Sequence, residues 1–154
     1  MKEVSGYVFS NECSFLKIAD LVYDSDEIIE ELVPAIVANY AFSVELMLKS
    51  LDVNYQNVGG PSAGLLPSTE IETNIRGHKL ANIFSQLPHD SKELLKKAFK
   101  ECTKEEIEPI LDLCNNDFAL IRYAHESQSK KIYRIGKLRL LAQGVNQSIR
   151  EYFA

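Results

Sequence analysis

The stretch from residue 35 to residue 51 constrains the fold more than any other. Ile36, Tyr40, Val44, Met47 and Leu51 step by four, four, three and four, which is one face of an α-helix. Val37, Ala41 and Leu48 widen that face, and Phe42 and Leu46 flank it. A helix apolar over so much of its circumference has to be surrounded, so it predicts a central element with other helices laid against it. Pro34 lacks a backbone donor and either kinks a preceding helix or sits in the first turn of a new one. Glu45 and Lys49 form an i,i+4 pair in the favourable order.

The rest of the chain supplies the covering elements. Phe15, Leu16, Ile18, Ala19, Leu21 and Val22 predict a short helix after Ser14, with residues 1–15 otherwise read as an extended arm. Asp24-Ser25-Asp26-Glu27 reads as a helix start leading to Ile28, Ile29, Leu32 and Val33. Residues 52–76, rich in Gly, Asn, Ser and Pro, read as a long loop. His78 to Pro88 is a short helix, for which Thr73 or Asn74 could supply caps. A helix follows Asp90-Ser91, and Thr103-Lys104-Glu105-Glu106 has the capping-box pattern that opens the next. Residues 131–152 carry Ile132, Ile135, Leu138, Leu141, Val145, Ile149 and Tyr152 at helical spacing. The expected fold is an all-α bundle of about five helices forming a single domain over residues 1–154.

Composition excludes several function classes. Hydrophobic residues at 45% and charged residues at 25% describe a globular chain rather than a disordered one. Cys13, Cys102 and Cys114 are an odd set without metal-ligand spacing, so neither a zinc site nor a disulfide framework is expected. With no basic-then-apolar leader and no evident membrane span, the chain reads as cytoplasmic, with no membrane partner and no cofactor.

Charge is distributed unevenly. Residues 1–75 hold three Lys and Arg against twelve Asp and Glu, a net of −9. Residues 76–119 net −1, and residues 120–154 net +5. The basic end carries Lys130, Lys131, Arg134, Lys137 and Arg139, which are the expected phosphate contacts if the domain binds RNA. The same residues could instead pair with the acidic half of the chain.

Two charged residues stand inside apolar stretches: Glu45 in the central helix and Arg122 after Phe118-Ala119-Leu120-Ile121. A charge buried there needs a partner, and the two are expected to meet. His125 lies three residues after Arg122, so one helix face can carry both, and His78 stands at the head of another helix.

Three segments together resemble the HEPN family. Asn39-Tyr40-Ala41-Phe42-Ser43-Val44-Glu45-Leu46-Met47-Leu48-Lys49-Ser50-Leu51 is similar to its central helix, and Arg76-Gly77-His78-Lys79-Leu80-Ala81-Asn82-Ile83-Phe84 to a second helix start. Phe118-Ala119-Leu120-Ile121-Arg122-Tyr123-Ala124-His125-Glu126 is similar to a later helix. The resemblance implies a HEPN-like helical domain that dimerises and belongs to RNA-targeting toxin–antitoxin, phage-defence or stress systems. It also implies RNA or a nucleotide, a cognate antitoxin and a second copy as partners. Catalytic members are metal-independent endoribonucleases with an Arg, a polar residue and a His after four to six intervening residues. Here two residues separate Arg122 from His125, and Tyr123 fills the polar position, so the motif is degenerate.

Three readings stay open on the sequence. One is a dimerising RNA- or nucleotide-associated module without catalysis. Another is an active metal-independent endoribonuclease using Arg122 and either His125 or His78, with Glu45 as a further candidate. The third is a protein-interaction adaptor.

Overall fold

The computed structural model describes residues 6–25, 30–60, 65–117, 121 and 134–153. Six α-helices are present among them: α1 (Gly6–Tyr23), α2 (Val33–Ser50), α3 (Leu80–Ser85), α4 (His89–Thr103), α5 (Ile107–Cys114) and α6 (Ile135–Tyr152). A two-stranded antiparallel hairpin, β1 (Val53–Gly60) and β2 (Leu65–Thr73), joins α2 to α3. The all-α bundle expected from the periodicity is the observed architecture.

The central helix lies where the spacing placed it. Pro34 sits in the first turn of α2, where its missing N–H costs no hydrogen bond. Ile36, Val37, Tyr40, Ala41, Val44, Met47 and Leu48 are buried, and α1, α3 and α6 pack around them. With the turn before it, Glu30–Ser50 is long and apolar enough to cross a membrane by length and composition alone. In this fold the same apolar surface is the middle of the core.

α6 crosses α1, α2 and α4 and holds the bundle together. Leu138, Leu141, Ala142, Val145 and Ile149 face inward. The inward apolar residues of α2 and α6 are thus covered within one chain. Among the described residues, the large apolar side chains still exposed are Ile18 (51%) and Leu21 (74%) on α1 and Leu113 on α5.

A polar network locks α1 to the other two central helices. The buried Tyr40 hydroxyl donates to Asp20 Oδ1 (2.6 Å), and Gln143 Nε2 donates to the same oxygen (3.1 Å). Arg139 grips Asp24 through both terminal nitrogens (2.8 and 3.1 Å) and lies over the Tyr23 ring (4.3 Å to the centroid).

Three expectations need correction. Residues 6–15 are not an extended arm: α1 is helical from Gly6, so the apolar run after Ser14 is only its second half. The long loop 52–76 is mostly a β-hairpin. Val53 pairs with Thr73, Tyr55 with Ile71 and Asn57 with Thr69, alternating with Asn54 to Glu72, Gln56 to Glu70 and Val58 to Ser68. A register irregularity falls between Val58 and Gly60. The hairpin is anchored at its base, where Val53 and Ile75 are buried. The Thr103 capping box does not form either. Thr103 Oγ1 instead donates to Phe99 O and accepts from Glu105 N, closing the end of α4. Of the expected helix start Asp24-Ser25-Asp26-Glu27, Asp24 and Ser25 instead close the end of α1, with Ser25 Oγ donating to the Val22 carbonyl (2.7 Å), and residues 26–29 lie outside the described residues.

Candidate functional site

Glu45 is carried on α2, one turn before Lys49, and its side chain is only 3% exposed. Lys49 Nζ reaches Glu45 Oε1 at 2.8 Å, so the pair legible in the sequence is made. A second partner comes from 33 residues further on. His78 Nδ1 lies 3.0 Å from Oε1 and 3.1 Å from Oε2 of the same carboxylate.

A carboxylate offers only acceptors, so the imidazole carries its proton on Nδ1 and donates it. The ring is 52% exposed, in contrast to the carboxylate behind it. A buried acid holding a half-exposed imidazole by Nδ1 fixes the ring's tautomer and orientation, which is what a general acid or base requires.

The turn that presents His78 is built from several local devices. Ile75 is its buried anchor. The Gln86 side chain clamps Arg76 on both sides, accepting from its N–H (3.0 Å) and donating to its carbonyl (2.9 Å). Gly77 has φ +94°, a left-handed conformation that side-chain-bearing residues rarely adopt. The chain can thus reverse between Arg76 and His78 and enter α3 at Leu80.

α3 is not capped by Thr73 or Asn74. Asn115, at the end of α5, accepts the Ala81 N–H on its Oδ1 (2.8 Å). This bond brings the end of α5 against the start of α3, close in sequence to His78. The start of α6 lies near the same joint. Burial first, then Asp117, pushes the Cys114 thiol up to about 12, with Arg134 and Lys137 close enough to pull it back. Asp117 is buried and raised as well, mainly by burial, with Arg134 again opposing.

The other sequence candidates are placed as follows. Arg134 is the residue preceding α6 and Lys137 stands in its first turn; both are exposed. Arg139 is held by Asp24 and Asp20 at the α1 end of the bundle, so its charge is matched within the chain. Arg122, His125, Lys130 and Lys131 lie outside the described residues, and so does the expected Glu45–Arg122 contact. Among the described residues no group of three or more His, Cys, Asp or Glu side chains is arranged to hold a metal ion.

The sequence reading missed the Glu45–His78 pairing and the supporting roles of Gln86 and Asn115. The only sequence signal was Glu45 itself, an acid in an apolar helix that had to find a partner. Comparison with family models, with curated proteins and with solved structures finds no match to this chain.

Proposed function

We propose that this chain is a HEPN-like domain that cleaves RNA without a metal ion, with Glu45 and His78 as its acid–base pair. One observation carries the reading: an imidazole held by Nδ1 on a buried carboxylate, its ring half exposed, in a turn containing Arg76 and Lys79. Two of the three family-like segments, 39–51 and 76–84, meet at this pair, which supports the reading further.

In this proposal His78 Nε2 takes the proton of a ribose 2′-hydroxyl while that oxygen attacks the adjacent phosphorus. The new bond is P–O2′ and the bond that breaks is P–O5′. His125 returns a proton to the leaving 5′-oxygen. Arg122 offsets the charge that builds on the phosphoryl oxygens. The products carry a 2′,3′-cyclic phosphate and a 5′-hydroxyl. Glu45 acts through His78 and touches no reacting atom.

Incubating the protein with unstructured RNA in EDTA, and mapping the new ends, tests this. Removing a general acid or base costs roughly 100- to 10,000-fold in rate, so His78→Ala should lose at least about 100-fold. Arg122→Ala should lose on the order of 100-fold, in the range found for removing one donor to a developing oxyanion. Cleavage that leaves 3′-phosphates without a cyclic intermediate, or that His78→Ala leaves intact, would refute the proposed roles. Binding without any cleavage would favour the non-catalytic module.

A further inference from the structure

We infer that residues 6–15, the first half of α1, form a flap that rising pH releases from the bundle while residues 16–23 stay docked, with Glu12 as its latch.

The latch is an anomaly of packing. Phe9, Glu12, Cys13, Leu16 and Ala19 make the inward face of α1, and Glu12 is as fully buried as Ala19. A carboxyl in such a place is normally hydrogen-bonded or ion-paired, because bare polar atoms away from water are unfavourable. Neither Glu12 oxygen has a partner. α1 packs against α2 and α6. The ionisable groups these elements bring to this end of the bundle are Cys13 on α1 itself, Lys49 on α2 with the buried Asp52 just past it, and Arg150 on α6. Lys49 is turned to Glu45, and Arg150 to Asn146 and the Cys13 sulfur. Asp52 carries the same sign of charge as an ionised Glu12. Nothing in the docked arrangement is placed to compensate that charge, so water must, and water reaches it when the flap lifts.

The two halves of α1 are held by different kinds of contact. In the second half, Asp20 accepts from Tyr40 (2.6 Å) and Gln143 (3.1 Å) and lies 3.5 Å from Arg139 Nε. Arg139 also stacks on Tyr23 and binds Asp24 just beyond the helix. Hydrogen bonds to a charged group are the stronger kind. In the first half the polar contacts end on a thiol, which is a weak acceptor. Asn146 Nδ2 and Arg150 Nη2 meet the Cys13 sulfur at 3.1 and 3.4 Å. Arg150 lies over Phe9 (5.4 Å to the centroid), and Phe15 packs edge-on against Phe42 (4.8 Å).

Burial holds the docked carboxyl up to about 8 against an ordinary 4.5. Between these values the docked flap keeps a proton that the released flap has given up, so each step upward in pH favours release. Release also frees the Cys13 thiol, which is buried when the flap is docked.

Thiol labelling with 4,4′-dithiodipyridine, resolved cysteine by cysteine by peptide mass, tests this. Protection is the labelling rate of the urea-unfolded chain divided by that of the folded protein at the same pH. Cys13 protection should fall by roughly 100-fold or more between about pH 5 and pH 8, because the release equilibrium shifts up to about tenfold per pH unit in that window. Cys114, buried on α5, reports opening of the bundle as a whole. At about pH 8 Cys13 should be at least roughly tenfold less protected than Cys114, as expected of a sub-global opening. Adding ~1 M urea should change Cys13 protection less than about twofold and lower that of Cys114 severalfold, because a local opening exposes little new surface. Glu12→Gln should hold Cys13 protection nearly constant over the same pH range, and Glu12→Met gives the same test if the amide disturbs packing. Cys13 and Cys114 losing protection in parallel with pH and with urea would confine Glu12 to global unfolding and overturn the flap. Cys13 protection that does not change with pH, or that falls as steeply in both variants as in the wild type, would overturn it too.

Discussion

Raising the pH from about 4.5 toward 8 should strip several kcal/mol of stability from this domain, and Glu12→Gln should remove most of that dependence. Glu12 is completely buried on the inner side of α1, and neither of its oxygens has a hydrogen-bond partner. The Ser50 hydroxyl beside it donates instead to the Met47 carbonyl (2.6 Å). Burial pushes the carboxyl up to about 8 from an ordinary 4.5, with Ser50 opposing. Below pH 4.5 the group is protonated both folded and unfolded, and it costs nothing. Between 4.5 and 8 the unfolded chain has released its proton and the folded chain has kept it. Unfolding is therefore favoured progressively as pH rises, and the loss levels off once the folded carboxyl also ionises.

At about 1.4 kcal/mol per pH unit, the cost is on the order of 3 kcal/mol by pH 7 and ~5 kcal/mol by pH 8. The buried Asp117, also raised, adds a loss of the same sign beginning at lower pH. Urea titrations at pH 5 and pH 8 should show the wild type much weaker at pH 8. Glu12→Gln should fall far less between the two, and should exceed the wild type at pH 8. Parallel losses in both proteins would mean that Glu12 is not the group responsible.

The same substitution at two positions of α6 should have opposite signs. A Cβ on Gly144 would stand 2.4 Å from Phe99 Cε2 and 2.7 Å from Thr103 Cγ2. Phe99 is fully buried and has no room to turn aside. Gly144 is thus the place where α4 and α6 approach most closely among the glycine contacts seen, and Gly144→Ala must push the two helices apart. Overpacking costs typically about 1–3 kcal/mol. Helix propensity returns up to ~1 kcal/mol, so the net loss should be roughly 1–2 kcal/mol. Gly144→Val should lose about 3 kcal/mol or more, because a branched side chain adds volume without the propensity gain. Gly136, eight residues earlier, has nothing within 4 Å of its would-be Cβ. Gly136→Ala should stabilise by about 0.4–1 kcal/mol. Thermal melts of the three variants check this, and a Gly144→Ala protein as stable as Gly136→Ala would refute the close approach.

How much of this was legible in the sequence depends on where the information lies. α2 and α6 were readable because each carries a long apolar stripe at helical spacing, and their burial follows from it. The hairpin was not. Asn54, Gln56, Asn57, Ser68, Glu70 and Glu72 give neither face a clean apolar alternation, and Gly59, Gly60 and Pro67 mimic a loop. α1 hid its first half because Ser10, Asn11, Glu12 and Ser14 break the pattern, and Glu12 occupies a core position that composition reads as solvent-facing.

The candidate site was half visible. Glu45 advertised a missing partner, and its i+4 lysine could be read directly. That His78 would complete it could not be read, since the two residues are 33 apart and meet only when α3 docks on α2. Asn115 capping α3 is the same kind of contact, made between residues 34 apart.

In the proposed reaction Glu45 acts only through His78, and a double-mutant cycle on RNA cleavage tests that most directly. Rates would be measured in EDTA for the wild type, Glu45→Gln, His78→Ala and the double variant, with circular dichroism confirming that each is folded. If Glu45 works only by holding the imidazole, Glu45→Gln should slow cleavage, and the double variant should be no slower than His78→Ala alone. Losses that multiply in the double variant, or a Glu45→Gln protein that cleaves at the wild-type rate, would contradict it.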